Sequence, residues 1–286
     1  MNYAALIQNR KSVREFQDKV VPFKLLEQVK SYYRSSVRRL IPQIGTEAYF
    51  FGTDAREALE GAAGYHKFLV GAPQYLVLLT ERHPLAHLNA GFVMEDLILK
   101  LTELDLGSCW VTFTDSEQVK AALGIDSELE VAAIVAFGYG VKTTRRLRLN
   151  IKSMSNIDII AKRGYYEPKV SVGELVHGKT WGSRDGLDDA IGFYDDMLWE
   201  AFYAASLAPS YLNRQAYGFL LEPGSVTLVS TPDKYNTPID GELSLGIVLH
   251  HFTVVAENWA GKLSWNFAPE GVKLPEGHKA IASAAI

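Results

Sequence analysis

Cysteine is almost absent from this chain: its 286 residues include only Cys109. A single cysteine excludes an internal disulfide, a zinc site built from several thiolates and a CxxC redox pair. We therefore expect a reducing, cytoplasmic environment. Cys109 lies beside Trp110 in an apolar run, which is typical of a small core residue.

An excess of basic charge is also missing. The net charge is -4 and the isoelectric point is near 6.0, which argues against nucleic acid or an anionic membrane as the principal partner. The first 14 residues lack a signal-peptide core, and no run reaches the roughly 18 apolar residues of a membrane helix. With 48% hydrophobic residues, the chain can bury a large core. A protein that acts on small molecules is the default expectation.

Motifs for metals and for a dinucleotide-binding domain are lacking as well. His66, His83 and His87 do not follow a metal-ligand spacing, and His250 and His251 point apart by about 100° on an apolar helix. We expect those two histidines to be buried with their polar atoms satisfied, and no metal site. No Gly-x-Gly-x-x-Gly follows a predicted strand, so a nicotinamide dinucleotide would bind only transiently.

Hydrophobic patterning predicts helices alternating with short strands. Apolar residues three or four positions apart predict helices, and short continuous apolar runs predict buried strands. Helices are predicted at 1–8, after Pro22, at 91–107, from Thr114 or Asp115 to Leu123, at 191–207 and at 241–261; strands are predicted at 75–79, 131–137, 217–221, 225–230 and 279–286. The segment 31–51 predicts irregular or short structure because it contains Pro42 and Gly45.

The order of these elements repeats. Gly91, a helix, Gly107 and Trp110 match Gly241, a helix, Gly261 and Trp265 at an offset of about 150 residues. The strand at 131–137 matches the strand at 279–286 in the same way. The pattern predicts two copies of one unit.

Each of the two copies has one polar motif that the other copy lacks. In an extended segment, Arg10, Ser12 and Arg14 point the same way and suit a phosphate or an anionic ring edge. Far along the chain, Pro209 ends a helix, and Ser210, Asn213 and Gln215 follow with groups that can read a polar heterocycle. Each motif alone also fits a structural role, as an exposed basic turn or as a helix stop whose side chains satisfy the last carbonyls.

A third feature is the cationic segment 142–169, which has eight Lys or Arg residues against two acidic ones. A solvated crossover between the two copies is one interpretation, and an arginine that reaches an anion is the other.

Three motifs resemble those of the flavin-dependent nitroreductase family. The segment 10–16 resembles its N-terminal Arg-Arg-Ser-x-Arg-x-Phe element, and 208–215 resembles its Ala-Pro-Ser-x-x-Asn-x-Gln-Pro-Trp element. The segment 90–110 resembles its Ala-Gly helix that ends in Leu-Gly-x-x-x-Trp. Where that family has Pro-Trp, this chain has Ala216 and Tyr217, a difference that concerns the substrate side of the site.

The resemblance implies an α+β fold and a pseudo-dimer within one chain. The family usually forms homodimers that hold FMN between subunits, whereas this chain has both motifs once. The expected architecture is two similar halves, 1–165 and 166–286, each with a central mixed or antiparallel sheet covered by helices. It resembles the tandem-repeat branch of the family. We expect a monomer with one complete FMN site, no nucleic acid or membrane partner, and a small-molecule substrate.

The resemblance also implies roles for individual residues. Arg10 would hold the flavin phosphate, Ser12 would contact the ribityl chain or ring edge, and Arg14 would face the N1/C2 side of the ring, where a cation stabilises reduced flavin. The other cofactor-binding residues implied are Pro209, Ser210, Tyr211, Asn213 and Gln215 from the second half, and Lys11, Val111, Thr112 and Phe113 from the first. Arg145 and Arg146 are candidates for a late phosphate ligand, with Lys169 as their rival.

The implied activity is an FMN-dependent oxidoreductase with a ping-pong mechanism. NADH or NADPH would donate hydride to the flavin, and a nitroaromatic or quinone would accept electrons from it, so no protein side chain is expected to be catalytic in its own right. Two alternatives stay open: a flavin-binding or sequestering protein without turnover, and a structural protein with a vestigial flavin site.

Overall fold

The computed structural model describes residues 1–66, 68–141, 146–153, 156–162, 168–187 and 195–286, with backbone only for 146–162. In these parts of the chain the helices are α1 (Tyr3–Asn9), α2 (Phe23–Ser35), α3 (Ala55–Leu59), α4 (Ala86–Glu103), α5 (Ser116–Leu123), α6 (Val172–Leu175), α7 (Asp195–Ser206) and α8 (Pro238–Ala260). The strands are β1 (Thr46–Phe51), β2 (Gln74–Thr80), β3 (Gly107–Val111), β4 (Glu130–Gly138), β5 (Arg146–Ser153), β6 (Asn156–Lys162), β7 (Val176–His177), β8 (Tyr217–Glu222), β9 (Ser225–Ser230), β10 (Asn266–Phe267) and β11 (Lys279–Ala285).

Two sheets have the same strand order. The first is β1-β2-β4-β3, and every neighbouring pair in it is antiparallel. The second contains β8-β9-β11-β10, also antiparallel, with β7 added in parallel beside β8. A long helix follows the central strand of each sheet: α4 connects β2 to β3, and α8 connects β9 to β10. A separate hairpin is formed by β5 and β6.

The strand β2 shows why a continuous apolar run is needed at the centre of a sheet. Leu76 and Leu78 pack into the core on one face, and Tyr75, Val77 and Leu79 pack into a second core on the other. Because successive side chains of a strand point to opposite faces, both sets must be apolar. The prediction of a central strand buried on both faces is confirmed.

The helices α4 and α8 pack directly against each other at two glycines. A Cβ built on Gly91 would lie 2.2 Å from the carbonyl oxygen of Leu243, and one on Gly246 would lie 2.0 Å from that of Leu88. Such close backbone approach leaves no space for a side chain. The helix α8 is long and apolar enough to cross a membrane, with a mean hydropathy of 1.2, but 78% of that window is buried inside the protein, as in a core helix.

The structure refines one prediction in the first half and corrects another. The segment 31–51, expected to have irregular or short structure, contains the end of α2, which continues to Ser35, and the short edge strand β1, whose residues are mostly only partly buried. Gly107 does not end α4, since the helix stops at Glu103 and Asp105 takes the left-handed conformation with φ 57°. Gly107 instead begins β3 and lies against Val13, whose Cγ2 would be 2.6 Å from an added Cβ.

Candidate functional site

The loop after α7 has a strained backbone. The helix ends at Ser206, three residues before Pro209, which cannot donate the next helical hydrogen bond. Leu212, Asn213 and Gln215 have φ of 48°, 55° and 51°, in the region that favours glycine. Non-glycine residues persist there only when surrounding contacts hold them, and such strain is concentrated at functional sites.

Hydrogen bonds hold that loop in place. The Ser210 hydroxyl accepts from the backbone N–H of Gln215 at 2.9 Å. The N–H of Tyr211 donates to the hydroxyl of Ser244 at 3.2 Å, which ties the loop to α8. Ser244 in turn donates to the carbonyl of Asp240 at 2.7 Å. The loop is therefore anchored both to itself and to the start of α8.

Asn213 and Gln215 bind the segment 168–170. Asn213 donates to the carbonyl of Pro168 at 2.8 Å, and its Oδ1 accepts from Nζ of Lys169 at 3.0 Å. Gln215 accepts from the N–H of Val170 at 2.8 Å. Lys169 also donates to the carbonyl of Ala208 at 2.8 Å. These contacts place the ammonium group of Lys169 beside the loop.

The N-terminal basic segment runs alongside β3. Ser12 forms a parallel bridge with Ser108, and the N–H of Val13 donates to the Ser108 carbonyl at 2.8 Å. The side chain of Val13 packs onto Gly107 and Gly140. Because alternate residues of an extended segment point apart, Ser12 and Arg14 are left on the side away from those glycines.

Both motifs line one cavity of about 740 Å³. Of the residues that the sequence predicted for the site, its wall contains Arg10, Lys11, Ser12, Arg14, Val111, Thr112, Phe113, Pro209, Ser210, Tyr211 and Asn213. Gln215 does not line the cavity; its side chain instead binds the loop to the backbone of Val170. Arg145 lies outside the described residues, as does the side chain of Arg146. Lys169, their rival, does line the cavity.

The cavity also has walls that the sequence analysis did not identify. Tyr65 and Phe68 come from the stretch after α3, and the Phe68 side chain is 72% exposed. Asp240, Leu243 and Ser244 come from the start of α8. The Asp-Gly pair before the long apolar stretch could have indicated this helix start, but the sequence around Tyr65 has no periodicity to interpret.

Burial shifts the pKa of two acidic groups in the cavity wall. Burial raises the pKa of the Asp240 carboxyl, although a hydrogen bond from Thr237 lowers it. Burial also raises the pKa of the Tyr211 hydroxyl, and the nearby charge of Asp240 adds to that effect. Both groups therefore favour their neutral forms more than they would in water.

A buried ion pair connects the cavity to the central helices. Nε of Arg10 lies 3.5 Å from Oε1 of Glu95, and the two side chains are 7% and 0% exposed. His251 contacts the same carboxylate at 3.0 Å, and His250 contacts Asp96 at 3.0 Å. Both histidines are buried, as predicted, and both ring nitrogens of His251 have partners, but Nδ1 of His250 has none among the described residues.

Solved structures show the same fold along the whole chain. A protein from Thermotoga maritima described as a putative nitroreductase matches with a TM-score of 0.60 and 18% identity, over 100% of this chain and 94% of that one. This similarity shows an α+β nitroreductase fold, as predicted. At such low identity it supports the fold alone.

Other matches cover about half of the chain. A nitroreductase family protein from Clostridium difficile is 23% identical over 50% of this chain and 87% of that one, with a TM-score of 0.42. A protein from Desulfovibrio desulfuricans, described as a putative nitroreductase in complex with FMN, is 19% identical over 51% and 92%, with a TM-score of 0.41. These TM-scores are too low to support a conclusion.

The sequence itself matches a family. No curated protein matches it significantly. A sequence model for the family described as "Putative TM nitroreductase" matches residues 2–167, more than half of the 286. The match includes the basic motif, α4 and the first sheet. The chain therefore belongs to this nitroreductase family.

Proposed function

We propose that the protein is an FMN-dependent oxidoreductase that takes electrons from NADH or NADPH and passes them to a nitroaromatic, a quinone or a similar small acceptor. One observation carries the proposal: two polar motifs about 200 residues apart line the same cavity. Neither motif alone would define a site, because each has a structural interpretation. Their convergence is what a shared ligand requires.

The residues of the cavity fit FMN. A volume of about 740 Å³ lies within the range of cofactor sites. Arg10, Lys11, Arg14 and Lys169 supply cationic donors for a phosphate, while Val111, Phe113 and other apolar side chains supply a wall for a ring. Within the described residues, Nε of Arg10 is buried without a hydrogen-bond partner. That nitrogen lies 3.5 Å from the Glu95 carboxylate, so an anionic ligand would be bound by the other nitrogens of the Arg10 guanidinium.

The chain would hold the cofactor from both halves. Arg10 and Lys169 would bind the phosphate, and Ser12 the ribityl chain or the ring edge. Arg14 would supply positive charge beside the N1/C2 edge of the ring. From the other half, the loop 209–213 would close over the ring, with Tyr211 and Asn213 as its polar groups.

Bound FMN would supply the redox chemistry, accepting hydride from the nicotinamide and delivering electrons to the acceptor in separate half-reactions. The side chains supply position and environment. Apolar residues from β3 and α8 would exclude water from one part of the cavity.

We further propose that the chain acts as a monomer with one FMN, in the cytoplasm, as an internal pseudo-dimer of the halves 1–165 and 166–286. The four strands that the two sheets have in the same order and the close crossing of α4 and α8 support this arrangement. Each motif occurs once, so the arrangement provides one complete site.

Anaerobic stopped-flow mixing tests the activity. We expect FMN-loaded protein to lose its visible flavin absorbance when mixed with NADH or NADPH, and to recover it when a quinone or nitroaromatic is added. If neither dinucleotide bleaches the bound flavin, the reductase proposal is wrong and the protein instead binds or sequesters flavin. Protein that shows no flavin absorbance after incubation with excess FMN and gel filtration would indicate a vestigial site.

A further inference from the structure

Two acidic residues of α4 pair with two histidines of α8 in the centre of the protein. Glu95 contacts His251 and Asp96 contacts His250, each at 3.0 Å, and all four side chains are fully buried. The two pairs are matched in residue type, burial and distance. They differ in their further contacts, and that difference makes them useful for comparison.

Only the pair of Glu95 and His251 reaches the cavity. Oε1 of Glu95 lies 3.5 Å from Nε of Arg10, and Oε2 accepts a long hydrogen bond of 3.4 Å from the indole of Trp110. Arg10 and Trp110 both line the cavity. Asp96 instead binds the hydroxyls of Tyr3 and Tyr32, neither of which lines it.

Counting protons shows what the geometry requires. Nδ1 of His251 lies 3.0 Å from the carbonyl oxygen of Ala204, and Nε2 lies 3.0 Å from the carboxylate of Glu95. A carbonyl and a carboxylate only accept, whereas a neutral imidazole has one N–H to donate. Satisfying both contacts therefore requires one additional proton, either on His251 or on Glu95. Wherever that proton lies, Arg10, Glu95 and His251 together carry a net charge of one positive unit.

The pair of Asp96 and His250 requires no additional proton. Nε2 of His250 can donate to Asp96, and Nδ1 has no hydrogen-bond partner among the described residues. A neutral His250 therefore satisfies the contact that it makes.

The additional proton is weakly held when no anion is near. Burial lowers the pKa of His251, and the charges of His250 and Arg10 lower it further, against the hydrogen bond and charge of Glu95, which raise it. Burial opposes ionisation of Glu95, but the hydrogen bond from His251 and the charges of Arg10 and His250 hold the pKa of this carboxyl below its ordinary value. An anion in the cavity would favour the protonated form, since it would compensate the buried positive charge.

We propose that Glu95 and His251 are positioning residues that hold Arg10 at the cavity wall, and that this triad takes up one proton from solvent when the phosphate of a phosphomonoester ligand binds. The proposal rests on the proposed function for the identity of that ligand as FMN. It makes phosphate recognition depend on pH through groups that do not touch the ligand.

The test compares FMN with riboflavin, which has the same ring and no phosphate. Dissociation constants would be measured by flavin fluorescence between about pH 6.5 and 8.5, where a phosphate monoester is mostly dianionic. For the wild-type protein we expect the FMN constant to rise with pH, by up to about tenfold per unit, since one proton is linked to binding. The riboflavin constant should stay flat. Calorimetry in two buffers of different ionisation enthalpy should show proton uptake with FMN only.

Two variants should abolish the pH dependence. His251→Gln keeps a donor to Glu95 but cannot hold the additional proton, so FMN binding should be weak and independent of pH. Glu95→Gln lets its amide donate to a neutral His251, so the net positive charge stays, but the same amide nitrogen then faces Nε of Arg10, which loses its acceptor. FMN binding should therefore be weaker than in wild type and also independent of pH. His250→Gln is the matched control, since it alters the neighbouring pair, and it should keep the wild-type slope. Urea unfolding would establish that each variant is folded.

An equal pH slope in wild type and His251→Gln, or FMN binding without linked proton uptake, would overturn the proposal. If neither flavin binds the wild-type protein, the proposed function fails, and inorganic phosphate becomes the probe. Phosphate should then raise the unfolding temperature more at low pH than at high pH in wild type but not in His251→Gln. The absence of that difference would overturn the triad proposal as well.

Discussion

The crossing of α4 and α8 predicts opposite changes in stability when two glycines of α8 are replaced by alanine. A Cβ at Gly246 would lie 2.0 Å from the carbonyl oxygen of Leu88 and 2.9 Å from the backbone N of Phe92. The first distance is about 1 Å short of the 3.0 Å that a real Cβ contact needs, and the obstructing atoms are backbone, which no rotamer change can move. Gly246→Ala must therefore separate the two helices.

The expected cost follows from that separation. Forcing one extra carbon into a close-packed interior costs about 1–3 kcal/mol. The gain in helix propensity from replacing glycine by alanine, about 1 kcal/mol, offsets only part of it. We expect Gly246→Ala to lower the free energy of unfolding by up to about 2 kcal/mol.

Gly241 provides the control in the same helix. An added Cβ there would find its nearest neighbour, Cβ of Asn236, at 4.0 Å, which is ordinary contact. Gly241→Ala should therefore raise the free energy of unfolding by up to about 1 kcal/mol. Urea denaturation followed by circular dichroism measures both values. Equal effects of the two substitutions, or a stabilising Gly246→Ala, would refute the close packing of these helices.

Three further predictions concern single groups. Tyr217→Phe should lower the free energy of unfolding by about 1 kcal/mol, because the buried hydroxyl donates to the carbonyl of Ala205 at 3.1 Å; no change in the urea midpoint would contradict this. Asp240 has a raised pKa in the folded protein. Its contribution to the free energy of unfolding is therefore fully present below its ordinary pKa of about 3.9, and it is lost as the pH rises through the raised pKa. Asp240→Asn should therefore gain more stability at pH 7 than at about pH 3.5, and a larger gain at the lower pH would refute the sign. Gly107→Ala should weaken FMN binding several-fold, since an added Cβ would displace Val13 and with it the basic segment; titration with FMN measures the loss, and wild-type affinity would contradict it.

Short-range patterns in the sequence were enough to predict much of the fold. Asp115 caps α5 by accepting from two backbone N–H groups, as expected from its position before the helix. The hairpin of β8 and β9 turns at Gly224, in the left-handed region that glycine favours. These features depend on residues close together in the sequence. The edge strand β1 was missed because its residues have only partial burial and no clear alternation.

The candidate site could be predicted only in part. The motifs at 10–14 and 209–213 were recognisable because they resemble elements of a known family, although each alone also fits a basic turn or a helix stop. The buried pairing of Glu95 with His251 was not, since the two residues are 156 positions apart and each alone looks like a polar residue in an apolar helix. The position of Lys169 was left open for a similar reason: it depends on Asn213 and Ala208 in a distant loop.

The central claim is that the two motifs form one flavin site in one chain. Equilibrium titration of the purified protein with FMN tests it most directly, using wild type, Arg14→Ala and Asn213→Ala. We expect one FMN per chain in wild type and weaker binding at that single site in both variants. Two FMN molecules per chain, no binding, or a variant of either motif that binds as tightly as wild type would contradict the account.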